Sequence, residues 1–418
     1  MTIRLTTLDN GLRVATDTMD TVETVTLGAW VETGSRDEPA ALNGVSHFLE
    51  HMVFKGTARR TAREIAEEIE AVGGHINAYT SRENTAFYAK VLKEDIGLAV
   101  DLVSDIMMHA TMDPIELERE KSVICQEIHQ AHDTPDDVVF DLFQEVAFPD
   151  QPLGRPVLGT EDVVRSLNRD DIQNYMRTGY TAQDTVFCAA GRLDHDALVD
   201  MIGDAFGELT TVSKNGRTNA QYAGGDQLMA RDLEQLHLVL GFNCIGYKDD
   251  DFYAASVFST LFGGGMSSRL FQEIREERGL AYSIYSFMSC YEDAGLFGIY
   301  AGTSADETAE LIPVIAAEAA KVVNHVDEAE ITRARAQLKA SILMARESTS
   351  SRVEQLARQV MLFGRHLSVE EIVAKVEAVD ENAVKSIATK LFSGTPTVTA
   401  VGPTSGMESF DTLAARFN

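Results

Sequence analysis

His47-Phe-Leu-Glu-His51-Met-Val-Phe-Lys-Gly-Thr57 is the stretch from which the rest of the chain is read. Apolar residues recur at helical spacing from Leu42 to Phe54, after Gly34-Ser-Arg-Asp, and predict a helix. On that helix His47 and His51 project from one face a single turn apart, a spacing that lets both imidazoles bind one metal ion. Glu50 reaches the same region but cannot easily join the ligands, which leaves its carboxylate to accept a proton from a metal-bound water. A catalytic zinc takes three protein ligands and keeps a position open for water, so a third ligand is expected on a neighbouring element.

Working outward, Gly11 to Thr16 and Val22 to Val31 read as strands before this helix. A second helix follows it, with Thr61 as N-cap, Glu64 closing a capping box, Ile65, Ile69 and Val72 on one face, and Gly73-Gly74 as the stop. Ile76 to Tyr79 and Thr85 to Val91 then read as paired strands, and Ile96, Val100, Val103 and Ile106 mark an amphipathic helix. The next helix opens with Asp113 at N-cap and Pro114 at N1 and runs to about Ala131. It places Glu120 and Glu127 on one face two turns apart, with Val123, Ile124 and Ile128 available for packing. Taken alone, such a carboxylate pair on an acidic protein reads as solvated surface.

HFLEHMVFKGT, GGHINAYTSRENTAFYAKV and EREKSVICQEI, with Glu127 lying 76 positions beyond His51, resemble the inverzincin metallopeptidases of the pitrilysin and mitochondrial processing peptidase family, in its short bacterial branch. The resemblance covers essentially the whole chain. It implies an α+β fold of two homologous domains, each a mixed, mostly antiparallel sheet packed with helices, facing each other as a clam shell. It further implies His47, His51 and Glu127 as ligands of one Zn²⁺ per chain, Glu50 as general base, and Glu120 as a second acidic residue in ligand or proton handling. In the strand Ile76 to Thr80 it implies an edge that pairs with peptide backbone, lined by Asn77 and Ala78. In the second half, Arg275 and Tyr282 match the pair that orients substrate and stabilises the developing oxyanion. Gly263 to Gly265 resembles a shortened glycine-rich segment placed near substrate. Without the resemblance, Arg275 reads as a helix ion pair with Glu276 or Glu277, and Tyr282 as a core aromatic.

The 418 residues include 36 Lys+Arg against 65 Asp+Glu, a net charge of -29 that repels nucleic acid and anionic membrane and suits basic peptides. The stretch TVSKNGRTNAQYAGGDQ, residues 211–227, loses apolar periodicity and reads as a linker between a zinc-binding domain, 1–210, and a homologous metal-free domain, 228–418, that contributes substrate-binding residues. Asp170-Asp-Ile-Gln-Asn-Tyr before Thr185-Val-Phe-Cys-Ala-Ala-Gly is echoed by Asp380-Glu-Asn-Ala-Val-Lys before Thr397-Val-Thr-Ala-Val-Gly. Where the first half has HFLEH, the second has Phe252-Tyr-Ala-Ala-Ser, so the ionisable residues belong to the first half alone. Four scattered cysteines, Cys125, Cys188, Cys244 and Cys290, form no CxxC pair and read as buried free thiols. His75, His109, His129 and His132 complete no better ligand spacing and read as surface or supporting residues.

With no cationic segment feeding an apolar one near Met1 and no run of about 18 apolar residues, the expected compartment is the cytoplasm, with no membrane partner. The expected activity is zinc endopeptidase action on short or unfolded basic peptides, in a homodimer. A non-catalytic scaffold subunit and a general oligopeptide-clearing peptidase are the alternatives.

Overall fold

A computed structural model describes residues 2–211 and 216–417. The chain forms two compact units, the first made of Met1–His129, Arg155–Thr218 and Met344–Leu367, the second of Gln130–Gly154, Asn219–Leu343 and Ser368–Asn418.

In the first unit, β-branched and small residues build a six-stranded sheet. Its order is β1 (Thr2–Thr7), β2 (Arg13–Thr18), β6 (Thr185–Gly191), β3 (Thr24–Val31), β5 (Thr85–Leu92) and β4 (His75–Thr80). β2 and β6 run parallel and every other neighbour is antiparallel. The sequence reading missed β1 and began β2 two residues early. Gly11, at φ 94°, belongs to the turn that joins them, closed by the Leu8 N–H on the Leu12 carbonyl.

Alternation along β3 explains its near-complete burial. Val25, Leu27, Ala29 and Val31 enter a core shared with the helices α1 (Val45–Val53), α2 (Ala62–Ala71), α3 (Ile96–His109) and α4 (Pro114–Asp133). Trp30 points to the other face, where Val353, Leu356, Ala357 and Val360 of the helix Thr349–Phe363 cover it. A sheet buried on both faces selects apolar residues at successive positions, which is why β6 reads Thr-Val-Phe-Cys-Ala-Ala-Gly.

The second unit repeats the plan with one strand fewer. Its order is β7 (Gly225–Ala230), β11 (Thr397–Gly402), β8 (Leu236–Cys244), β10 (Gly295–Thr303) and β9 (Ala281–Cys290), with β7 and β11 parallel and the rest antiparallel. The echoed sequences supply β6 and β11, and each pairs in parallel with an early strand of its own half. In strand order β4 therefore corresponds to β9, both edge strands. One face of this sheet is covered by α5 (Pro135–Ala147) through Val138, Val139, Leu142 and Phe143. Each sheet thus takes one covering helix from the opposite half of the chain.

Of the stretch read as a linker, residues 212–215 lie outside the described residues, and 216–224 carry neither helix nor strand before β7 begins. Among the described residues no helix is long and apolar enough to cross a membrane.

Candidate active site

The helix that carries HFLEH starts three residues later than its apolar pattern predicts. Gly44 takes φ 98° and breaks the chain between the short turn Ala40–Leu42 and α1. The buried Glu38 carboxylate satisfies the exposed amide end of α1, accepting from the Gly44 N–H at 2.7 Å, the Ser46 N–H at 2.8 Å and the Asn43 side-chain amide at 2.8 Å. Burial pushes Glu38 up to about 7 against these donors. Phe48, Leu49, Met52 and Val53 anchor α1 in the core, which leaves His47, Glu50 and His51 half-buried on the other side.

α4 is capped as its sequence predicts, the Asp113 carboxylate accepting from the Ile115 and Glu116 N–H groups. Leu117, Ile124 and Ile128 face the core, and Cys125 packs there too. Val123 does not share in this packing: it is 39% exposed, one position off the buried stripe. The two carboxylates differ in the same way, since Glu120 is only 4% exposed while Glu127 is half-buried.

These helices bring His47, His51 and Glu127 together, with one ligand atom of each within 4.8 Å of the others. The Glu127 Oε2 lies 3.5 Å from His51 Nε2 and 3.7 Å from His47 Nε2. Glu120 Oε2 stands 2.9 Å from His51 Nδ1. A carboxylate can only accept, so Nδ1 carries a proton, and Nε2 is the ring nitrogen that faces Glu127. The other Glu120 oxygen meets the Lys55 ammonium at 2.8 Å. Burial, and then the neighbouring His51, push His47 down to about 4, so its imidazole is a neutral donor at ordinary pH. Its buried Nδ1 has no partner among the described residues. Two imidazoles and one carboxylate, with one ligand atom of each gathered within 4.8 Å, fit a zinc ion that keeps an open position.

Glu50 stands beside this group without joining it. The Thr80 hydroxyl donates to its Oε2 at 2.6 Å. Burial pushes the Glu50 carboxyl above the usual glutamate range, and the Thr80 bond is the largest influence opposing it. Sequence reasoning missed Thr80, whose signal was its place at the end of the strand segment in GGHINAYT.

β4 is an edge strand, as the resemblance implied. Asn77 is exposed, and its Oδ1 accepts from the Ala78 N–H at 2.9 Å. The Ala78 side chain is 8% exposed and packs in the core, so what Ala78 offers outward is backbone.

In the second unit, Arg275 and Tyr282 meet each other. The Arg275 guanidinium carbon sits 4.8 Å from the centre of the Tyr282 ring. Tyr282 is 75% exposed and is no core aromatic. Glu276 approaches Arg275 Nε only to 3.9 Å. Gly263 has a packing reason of its own, because a Cβ there would lie 2.4 Å from the Ser286 nitrogen of β9. The helix Phe252–Gly263 bears no ionisable counterpart of HFLEH.

Residues 13–161 match the family model described as Insulinase (Peptidase family M16), and residues 166–338 match the Peptidase M16 inactive domain. The chain belongs to the M16 peptidase family, a family of zinc proteases. It is 38% identical over 412 residues to an uncharacterized zinc protease of Streptomyces coelicolor, covering 96% of this chain and 90% of that one. It is also 38% identical over 429 residues to the probable mitochondrial-processing peptidase subunit beta of Arabidopsis thaliana, covering 99% and 81%. The crystal structure of a protease from Helicobacter pylori shares the fold, with a TM-score of 0.90 and 21% identity over 96% of this chain and 99% of that one.

Proposed function

We propose that this chain is a zinc-dependent endopeptidase that hydrolyses short or unfolded basic peptides, with His47, His51 and Glu127 as the zinc ligands and Glu50 as general base. The observation that carries the reading is the juxtaposition of a His-His-Glu group with a separate carboxylate steered by Thr80. When bound, zinc lowers the pKa of a water and polarises the scissile carbonyl. Glu50 takes the proton from the attacking water and delivers it to the leaving amine. Glu120 orients His51 through Nδ1 and does not touch the reacting atoms. The edge of β4 at Asn77 and Ala78 pairs with peptide backbone, and in the second unit Arg275 and Tyr282 supply donors to peptide carbonyl oxygens.

The preference for basic peptides is supported by the net charge of -29. The proposed assembly is a homodimer, supported by the presence of the metal group and the Arg-Tyr pair in one chain, and the proposed compartment is the cytoplasm. Light scattering and cell fractionation test these two points.

The deciding experiment is cleavage of a quenched basic peptide by the purified chain, untreated, after chelation and after zinc is restored, with metal counted per chain. Activity lost on chelation and regained with about one zinc per chain is the expected result. Zinc-loaded Glu50→Gln should bind metal normally and lose cleavage by several orders of magnitude. Full zinc occupancy without cleavage in the parent chain would favour a scaffold role.

A further inference from the structure

Arg275 is a cation held by rings. Its guanidinium carbon lies 4.7 Å from the centre of the Phe271 ring and 4.8 Å from that of the Tyr282 ring. Among the described residues no acceptor bonds it, and Glu276 stays at 3.9 Å. We propose that Phe271 is a positioning residue which, with Tyr282, clamps the Arg275 guanidinium by its faces and leaves its N–H edge free for a peptide carbonyl or carboxylate oxygen. The proposal rests on the reading of Arg275 as a peptide-binding residue.

Two irregular elements build the clamp. Phe271 and Arg275 lie on a π-helical segment, Phe271–Glu277, a rare geometry that needs a local reason to persist. Tyr282 sits in a bulge of β9, where the pairing passes from Ser283 opposite Gly302 to Ala281 opposite Thr303 and leaves Tyr282 without a partner on β10. A bulge re-aims its extra residue, and this one throws the tyrosine ring out over Arg275. Core packing does not account for Phe271. Leu270 and Ile274 of the same segment are fully buried in the core, whereas Phe271 is half-buried and turns its ring to the guanidinium.

A stacked partner does what a carboxylate could not. An ion pair would occupy the N–H groups, while ring faces attract the charge and leave the in-plane donors open. The clamp also removes rotamer freedom before the peptide arrives, so less is lost on binding.

The test is a double-mutant cycle on the zinc-loaded full chain with the quenched basic peptide. F271A should lower kcat/KM about tenfold, F271Y should restore it, and F271L, which keeps apolar bulk without a π face, should behave like F271A even if the alanine variant folds poorly. R275A should cost more, and adding F271A to R275A should cost nothing further. An F271A effect that persists undiminished in the R275A background overturns the proposal, because Phe271 would then act on the peptide or the fold directly. A harmless F271A beside a damaging R275A overturns it alone, and a harmless R275A overturns the peptide-binding reading with it.

Discussion

The hydroxyl of Thr80, at the end of β4, lies 2.6 Å from the Glu50 carboxylate on α1. The strand read as a peptide platform therefore also aims the proposed base, so that backbone docking and proton transfer share one element. Thr80→Val removes the donor and keeps the shape. It should lower kcat about tenfold to a hundredfold, since a hydrogen bond to a charged group contributes about 1.5 to 3 kcal/mol, with zinc content unchanged. Thr80→Ser should retain most activity; equal losses in both variants would assign Thr80 to packing instead.

Glu120 is buried between His51 and Lys55. Glu120→Gln should weaken zinc about tenfold to a hundredfold in a chelator competition, because the amide no longer fixes the Nδ1–H tautomer of His51. Unchanged zinc affinity would mean that the contact orients nothing that matters to the metal.

Asn77 occupies the Ala78 N–H that a docking strand would need. Asn77→Ala should lower KM for extended peptides a few-fold with kcat little changed, as the competing acceptor is gone. A raised KM would show instead that the amide itself contacts the peptide.

His195 lies buried between the hydroxyls of Thr6 and Thr16, 2.8 Å from each. Burial holds its pKa below the ordinary histidine value. The folded chain takes up this proton less readily than the unfolded chain, which gains it as pH falls below about 6.5, so the contribution to stability is present at higher pH and is lost as the medium acidifies. Denaturant unfolding of the parent and of His195→Gln, at about pH 7.5 and about pH 5.5, should show the variant losing less stability on acidification. Parallel losses would remove His195 from the account.

Local geometry was more legible than long-range packing. The four-residue spacing of His47 and His51 fixes a shared helix face whatever the tertiary fold, and the capping residues Thr61 and Asp113 announce helix starts by local bonds. Glu127 needed the resemblance, because spacing along α4 says nothing of which helix it faces. Thr80 and Phe271 were invisible for a related reason: each acts through one contact to a residue on another turn or element. β1 escaped because Thr-Ile-Arg-Leu-Thr-Thr carries few apolar residues, as suits an edge strand. The covering helices escaped because an amphipathic stripe records that a face is buried and not which sheet buries it.

Each sheet borrows a helix from the far half of the chain, and this bears on how the protein is made. Val353 packs with Ala15, and Arg352 is ion-paired at 2.7 Å with Asp17, 335 positions earlier. A nascent chain that has completed β6 still exposes the Trp30 face of its first sheet, and the ribosome needs about 10 to 30 seconds more to deliver residues 349–363 at ordinary elongation rates. During that interval the uncovered apolar surface is a target for holding chaperones. For the same reason, co-expressed halves cut between β6 and β7 would each emerge lacking a helix that only the other fragment carries.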